Sequence, residues 1–148
     1  MEVNPNVGEL IQDLRNRLPS EDVGTKEDEA IGVIERARRD LLVAALARET
    51  VTYGHLMKKF GVSRGRPLSR LISQLDAAES SRGAPGFAAI IVRRDTGFPG
   101  GGYFCDDGLP AALRRSPSRA TDPRLSPAEA AHVRAEQNRI WAFYGVLP

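Results

Sequence analysis

Residues 52–75, TYGHLMKKFGVSRGRPLSRLISQL, constrain the fold more tightly than any other stretch of the chain. Thr52 suits the N-cap of a helix over 53–60, because its hydroxyl can accept an N–H that the first turn leaves without an intrahelical partner. Gly61 suits the left-handed residue that commonly closes such a helix. Ser63 is the expected cap of a second helix reaching about residue 80, with Pro67 in the first turn, where its missing N–H is not needed. Helix, short glycine-containing turn and helix predict a helix-turn-helix. Such a pair cannot bury itself, so the remaining chain has to supply a scaffold for one face.

Stepping round the second helix at about 100° per residue puts Leu68, Leu71, Ile72 and Leu75 on one side. Arg66, Ser69, Arg70, Ser73 and Ala77 fall on the other. Two guanidinium groups among small side chains suit a helix that lies close to nucleic acid, although an ordinary amphipathic surface helix divides in the same way. Tyr53, Lys58, Lys59 and Arg64 are candidate phosphate contacts, Tyr53 through a hydroxyl beside a helix N-terminus. The alternative for Tyr53 is half-buried packing, and for the lysines simple solvation. His55 reads as a surface residue, and Trp141 as core.

The flanking chain supplies the scaffold. Residues 7–18 place Val7, Leu10, Ile11, Leu14 and Leu18 at helical spacing, and an acidic linker over 21–25 follows. Thr25 and Asp28 resemble a capping box for a long helix over 26–48 that buries Ile34, Ala37, Leu41, Ala44 and Ala45. Residues 87–94, FAAIIVRR, read as a strand. With the glycine-dense turn after it and a return strand over 103–105, they predict a β-hairpin wing whose flexible tip is the glycine run. Residues 106–125 have little periodicity and read as a linker with one helical turn near 110–114. Ser126, Pro127 and Glu129 form a strong helix start, opening a C-terminal helix to about residue 144 with Val133, Ile140, Trp141 and Tyr144 on its packing face. The expected class is mainly α with a small β-hairpin: a winged helix-turn-helix core over 25–105 with added terminal helices.

Charge is distributed unevenly beneath a net +2. The first thirty residues are acidic, whereas over 53–94 Lys58, Lys59, Arg64, Arg66, Arg70, Arg82, Arg93 and Arg94 face only Asp76 and Glu79. A basic middle suits a phosphate-binding surface. Cys105 is the single cysteine, which excludes an internal disulfide and a cysteine-cluster metal site and fits a reducing cytoplasm. Two histidines argue against a zinc site, no Glu-x-Lys or Asp-x-Lys of a nuclease occurs, and the glycine run lacks the Lys-Ser/Thr of a phosphate loop. No apolar run is long enough to cross a membrane, and residues 1–19 do not read as a secretory signal.

VTYGHLMKKFG, GRPLSRLI and AAIIVRRDTGFPGGGY, in that order, resemble the C-terminal winged-helix domain of alkylguanine-DNA alkyltransferases and alkyltransferase-like proteins over about residues 30–104. The resemblance implies that Tyr53 engages the target phosphate. It further implies that Arg66 enters the base stack as a finger where a base flips out, and that Tyr103 belongs to the pocket wall. Aligning Thr96 and Gly97 with the family's Asp-Gly puts Ala88, Ala89, Ile90 and Ile91 where its Pro-Cys-His-Arg stands. The nucleophile and its histidine are both replaced, and Cys105 beside Asp106 and Asp107 is poorly placed to form a thiolate.

The expectation is therefore a cytoplasmic, non-enzymatic binder of double-stranded DNA, without cofactor or metal, that uses Tyr53, Lys58, Lys59, Arg64, Arg66, Ser69, Arg70 and Ser73. Arg93 and Arg94 are expected to reach the backbone from the wing. The alternative is a protein-interaction module that docks through the C-terminal helix or the acidic N-terminal segment.

Overall fold

The computed structural model describes residues 23–106 and 108–145. The helix expected over 7–18 lies outside the described residues. The long helix α1 spans Val23–Leu46, so Thr25 sits within it rather than capping it. Its buried stripe is Ala37, Leu41, Ala44 and Ala45, the expected 3.6-residue repeat. Strand β1, Val51–Thr52, leads directly into α2, Tyr53–Phe60. Thr52 caps α2 as expected, its Oγ1 accepting from the His55 N–H at 3.1 Å, and Gly61 closes it at φ 65°.

Helix α3 spans Arg66–Ser81, with Pro67 in its first turn. Its N-cap is Gly65 at φ 91°, not Ser63. Ser63 contributes its backbone carbonyl instead, accepting from Leu68 N–H at 3.2 Å. A turn bent at two left-handed glycines leaves the serine hydroxyl no helical N–H to cap. The expected division of α3 holds: Leu68, Leu71 and Leu75 are buried, Ile72 is half-buried, and Arg66, Ser69, Arg70, Ser73 and Ala77 are exposed.

The expected β-hairpin is not formed. Only Ile91–Val92 is strand (β2), and it pairs in parallel with β1, Val51 opposite Ile91 and Thr52 opposite Val92. Before it, Ala88–Ile90 is a short 3-10 turn, fixed at its start by Asp76, whose Oδ1 accepts the Phe87 N–H at 2.6 Å. Gly101–Cys105, expected to return as the partner strand, is also 3-10. Nor is the glycine run a free wing tip, because Gly100 donates to the Tyr53 hydroxyl at 2.9 Å and Gly101 is buried against the Ala120 carbonyl and Arg115. Burial explains the difference: Phe87, Ala89, Ile90, Ile91 and Val92 are all inside, so this segment crosses the core and takes its ladder bonds from β1.

Residues 108–125 are built round one buried cation. All five N–H donors of Arg115 are occupied: Nε and Nη2 bond the Glu129 carboxylate at 2.6 and 2.9 Å, and the remaining three reach the carbonyls of Arg119, Asp122 and Arg124 at 3.2, 2.7 and 2.6 Å. The guanidinium also stacks 4.9 Å from the Phe104 ring centroid. Helix α4, Pro127–Gly145, opens with the expected capping box, Ser126 N–H to Glu129 at 2.8 Å and Glu129 N–H to Ser126 Oγ at 3.1 Å. α4 packs along α1 and over the Ala88–Ile90 turn, where Gln137 donates to the Ala89 carbonyl at 3.0 Å. Tyr144 stacks on Phe87 at 5.2 Å and donates to Glu79 at 2.7 Å. Burying each such large apolar side chain stabilises the fold by about 1.5–3 kcal/mol. The molecule is mainly helical with a small parallel sheet, and no described helix is long and apolar enough to cross a membrane.

Candidate nucleic-acid interface

Because α3 buries its leucines against α1 and α2, it must turn Arg66, Ser69, Arg70 and Ser73 outward. The tight turn before it brings Arg64 into the lining of an open groove of about 1360 Å³ that Tyr53 and Met57 of α2 also line. Tyr53, Arg64, Ser69, Ser73, Arg93, Arg94 and Tyr103 all line this groove. Lys58, Lys59, Arg66 and Arg70 lie outside its lining, on the helices that flank it.

The candidate cations divide by what holds them. Lys59 bonds both oxygens of Asp40, at 2.9 and 2.7 Å, in a cluster that includes His55. Arg93 is clamped by Asp95 at 2.9 and 2.8 Å. Lys58, Arg64, Arg66, Arg70 and Arg94 are exposed and make no ion pair or side-chain hydrogen bond among the described residues. Those five offer uncompensated positive charge to a partner. Lys59 and Arg93 have to give up an existing pair first.

Tyr53 is partly buried, and its hydroxyl accepts from Gly100. Burial raises its pKa, over the opposing pull of the Gly100 hydrogen bond and of Arg93, so the phenol keeps its proton for donation. Tyr103 also lines the groove, and its pKa too is raised by burial and by the nearby carboxylates Glu136, Asp76 and Asp106. The wall expected to carry a nucleophile is apolar: Ala88 and Ala89 line the groove, while Ile90 and Ile91 are fully buried. Cys105 lies outside the lining, its Sγ 3.8 and 4.0 Å from the carbonyls of Ser116 and Gly101.

Several groups at the site were not legible as site residues. Asp76, on the same helix as the exposed arginines, is pushed up to about 6 by burial, against the hydrogen bonds from the N–H groups of Phe87 and Ala88. Behind Asp76 on the same helix, Glu79 is fully buried outside the groove lining, held by Arg38 at 3.2 Å and by Tyr144. His132 and Glu136 reach the groove from α4, four residues apart on one helical face, a spacing that the sequence did contain. Among the described residues no three His, Cys, Asp or Glu side chains are placed to hold a metal ion. Comparison with protein-family models, with curated proteins and with solved structures found no match.

Proposed function

We propose that this chain binds double-stranded DNA without acting on it chemically, laying the exposed face of α3 against the duplex. The observation that carries the reading is the set of five exposed, unpaired cations, Lys58, Arg64, Arg66, Arg70 and Arg94, gathered about one helix-turn-helix and its groove. Arg38, Lys59, Arg93 and Arg115, by contrast, are each neutralised by a carboxylate, and the other exposed cations without an ion pair or side-chain hydrogen bond among the described residues, Arg39, Arg48, Arg114 and Arg119, sit on other segments. Arg66 and Arg70 lie against the groove of the duplex and Lys58 against its backbone, while Arg64 and Arg94 steer phosphates at the mouth of the protein's own groove. The resemblance to alkyltransferase-like domains adds a displaced base: Arg66 fills the gap in the stack, and the base enters past Tyr103. The apolar wall at Ala88 and Ala89 and the position of Cys105 support binding over alkyl transfer.

A salt titration of duplex binding tests this reading. If all five cations meet phosphates, log affinity falls against log salt with a slope of about −4.5, a loss of about 500-fold between 50 and 200 mM. A slope near zero, or no binding at low salt, refutes it. A protein partner is the second reading, favoured by exposed Val43, Leu46 and Phe143, which are 61%, 57% and 38% accessible on α1 and α4. Its test is whether polar substitutions at these three positions release a co-purifying protein while leaving duplex affinity unchanged.

A further inference from the structure

The groove is not uniformly basic. Helix α3 runs along one wall, and from Ser69 to Asp76 its rise covers about 10 Å. The cations of its lining are Arg64, Arg94, the Asp95-bound Arg93 and the Glu136-bound Arg139. At the Asp76 end three carboxylates arrive from three separate elements, Asp76 from α3, Asp106 from the end of the Gly101–Cys105 turn and Glu136 from α4, and all three bear electrostatically on Tyr103.

The polar groups at that end have bonding capacity left. Nε2 of His132 is buried and has no hydrogen-bond partner, and its ring sits 6.3 Å from that of Tyr103. The Tyr103 hydroxyl makes no hydrogen bond among the described residues. Asp76 accepts from the N–H groups of Phe87 and Ala88, and Glu136 pairs with the exposed Arg139 at 3.3 Å. Among the described residues these groups form no metal-binding cluster, yet all of them line the one groove of about 1360 Å³, which has room for a nucleoside. An aromatic ring, an unpaired ring nitrogen and dispersed carboxylates complement a flat, delocalised cation with N–H donors.

We infer that the Asp76 end of the groove receives a planar organic cation, and that, on the DNA-binding reading above, this cation is a positively charged base displaced from the duplex. Its phosphate would then face Arg64 and Arg94 while its ring faces Tyr103 and the carboxylates. A neutral, carbonyl-rich base meets acceptors there and is disfavoured.

The test has one arm without DNA and one with it. The full chain is titrated with 1-methyladenosine, cationic at neutral pH, and with inosine, following the resonances of Tyr103 and His132. The cation binds about tenfold or more tightly than inosine, the effect of one unit of proton-equivalent electrostatic bias. Asp76→Asn, and separately Glu136→Gln on the more accessible α4, each reduce that preference. Equal binding of the two nucleosides, or a preference that survives both substitutions, overturns the inference. In the second arm a duplex carrying one 1-methyladenine is compared with the unmodified duplex. A cation preference confined to the free nucleosides, with no duplex binding, upholds the pocket and removes the DNA reading. Salt-dependent duplex binding with no preference in either arm does the reverse.

Discussion

Glu129→Gln tests the least expected piece of the architecture, the buried Arg115. The Arg115 and Glu129 side chains are 1% and 8% exposed and joined by two hydrogen bonds, with Ser126 N–H adding a third to the carboxylate. The guanidinium first, then the Ser126 N–H against the cost of burial, hold the Glu129 carboxyl down at about 2 from an ordinary 4.5. Each tenfold of proton affinity is worth about 1.4 kcal/mol, so the ionised carboxylate contributes about 3 kcal/mol at neutral pH. Removing one member of a buried ion pair, which costs about 3–5 kcal/mol, gives the same scale by another route.

Glutamine keeps the shape but turns an amide N–H2 toward a guanidinium that needs acceptors. At pH 7 the variant is expected to lose about 3 kcal/mol in urea unfolding and to melt about 10 °C lower. The sign with pH follows from the lowered pKa. The contribution is complete above the unfolded value near 4.5 and fades as pH falls toward 2, so the gap between parent and variant narrows to about 1.5 kcal/mol at pH 3. A gap below about 0.5 kcal/mol at pH 7, or one that does not change with pH, would refute the argument that Arg115 organises this segment.

Other consequences follow from the same geometry. Lys58→Ala should lower the salt slope of duplex binding by about one unit, whereas Lys59→Ala, whose cation is already held by Asp40, should barely change it; equal effects on the slope would show that the Asp40 pair does not persist on DNA. Gly101→Ala would set a methyl group against the Ala120 carbonyl and Arg115, and is expected to cost about 1–3 kcal/mol in urea unfolding, while Gly102→Ala, with open space around it, should cost far less. Tyr144→Phe removes the hydroxyl that reaches both buried Glu79 and the Pro85 carbonyl, at 2.7 and 2.9 Å, and a loss of about 1–3 kcal/mol in the same assay is expected; an unchanged midpoint would mean that Arg38 and Arg82 satisfy the carboxylate without it.

Much of this protein is written locally. The Thr52 cap, the Gly61 stop, the buried leucines and outward arginines of α3 and the Ser126–Glu129 box each depend on residues within one or two turns of helix. Periodicity and capping chemistry are local interactions, so they can be read from a single chain. Tyr53, Arg64, Ser69, Ser73, Arg93, Arg94 and Tyr103 were likewise legible as residue types suited to phosphate or pocket, and they do share one groove.

Partnership across the chain was a matter for the tertiary structure. FAAIIVRR is apolar enough for a hairpin strand, but Asp76, eleven residues before Phe87, bends its start, and Val51–Thr52, forty residues upstream of Ile91–Val92, takes its ladder bonds. Arg115, one arginine in a polar run, became the centre of residues 108–125 only when Glu129 and three carbonyls closed round it. Lys58 and Lys59 are identical and adjacent in sequence, yet Asp40 of α1 binds only the second. Sequence by itself determined which faces had to be buried, because apolar spacing requires it. Which charges were left free, and which carboxylates met at Tyr103, depended on packing between distant segments, where the energy of an ionised group is set by neighbours that no local pattern names.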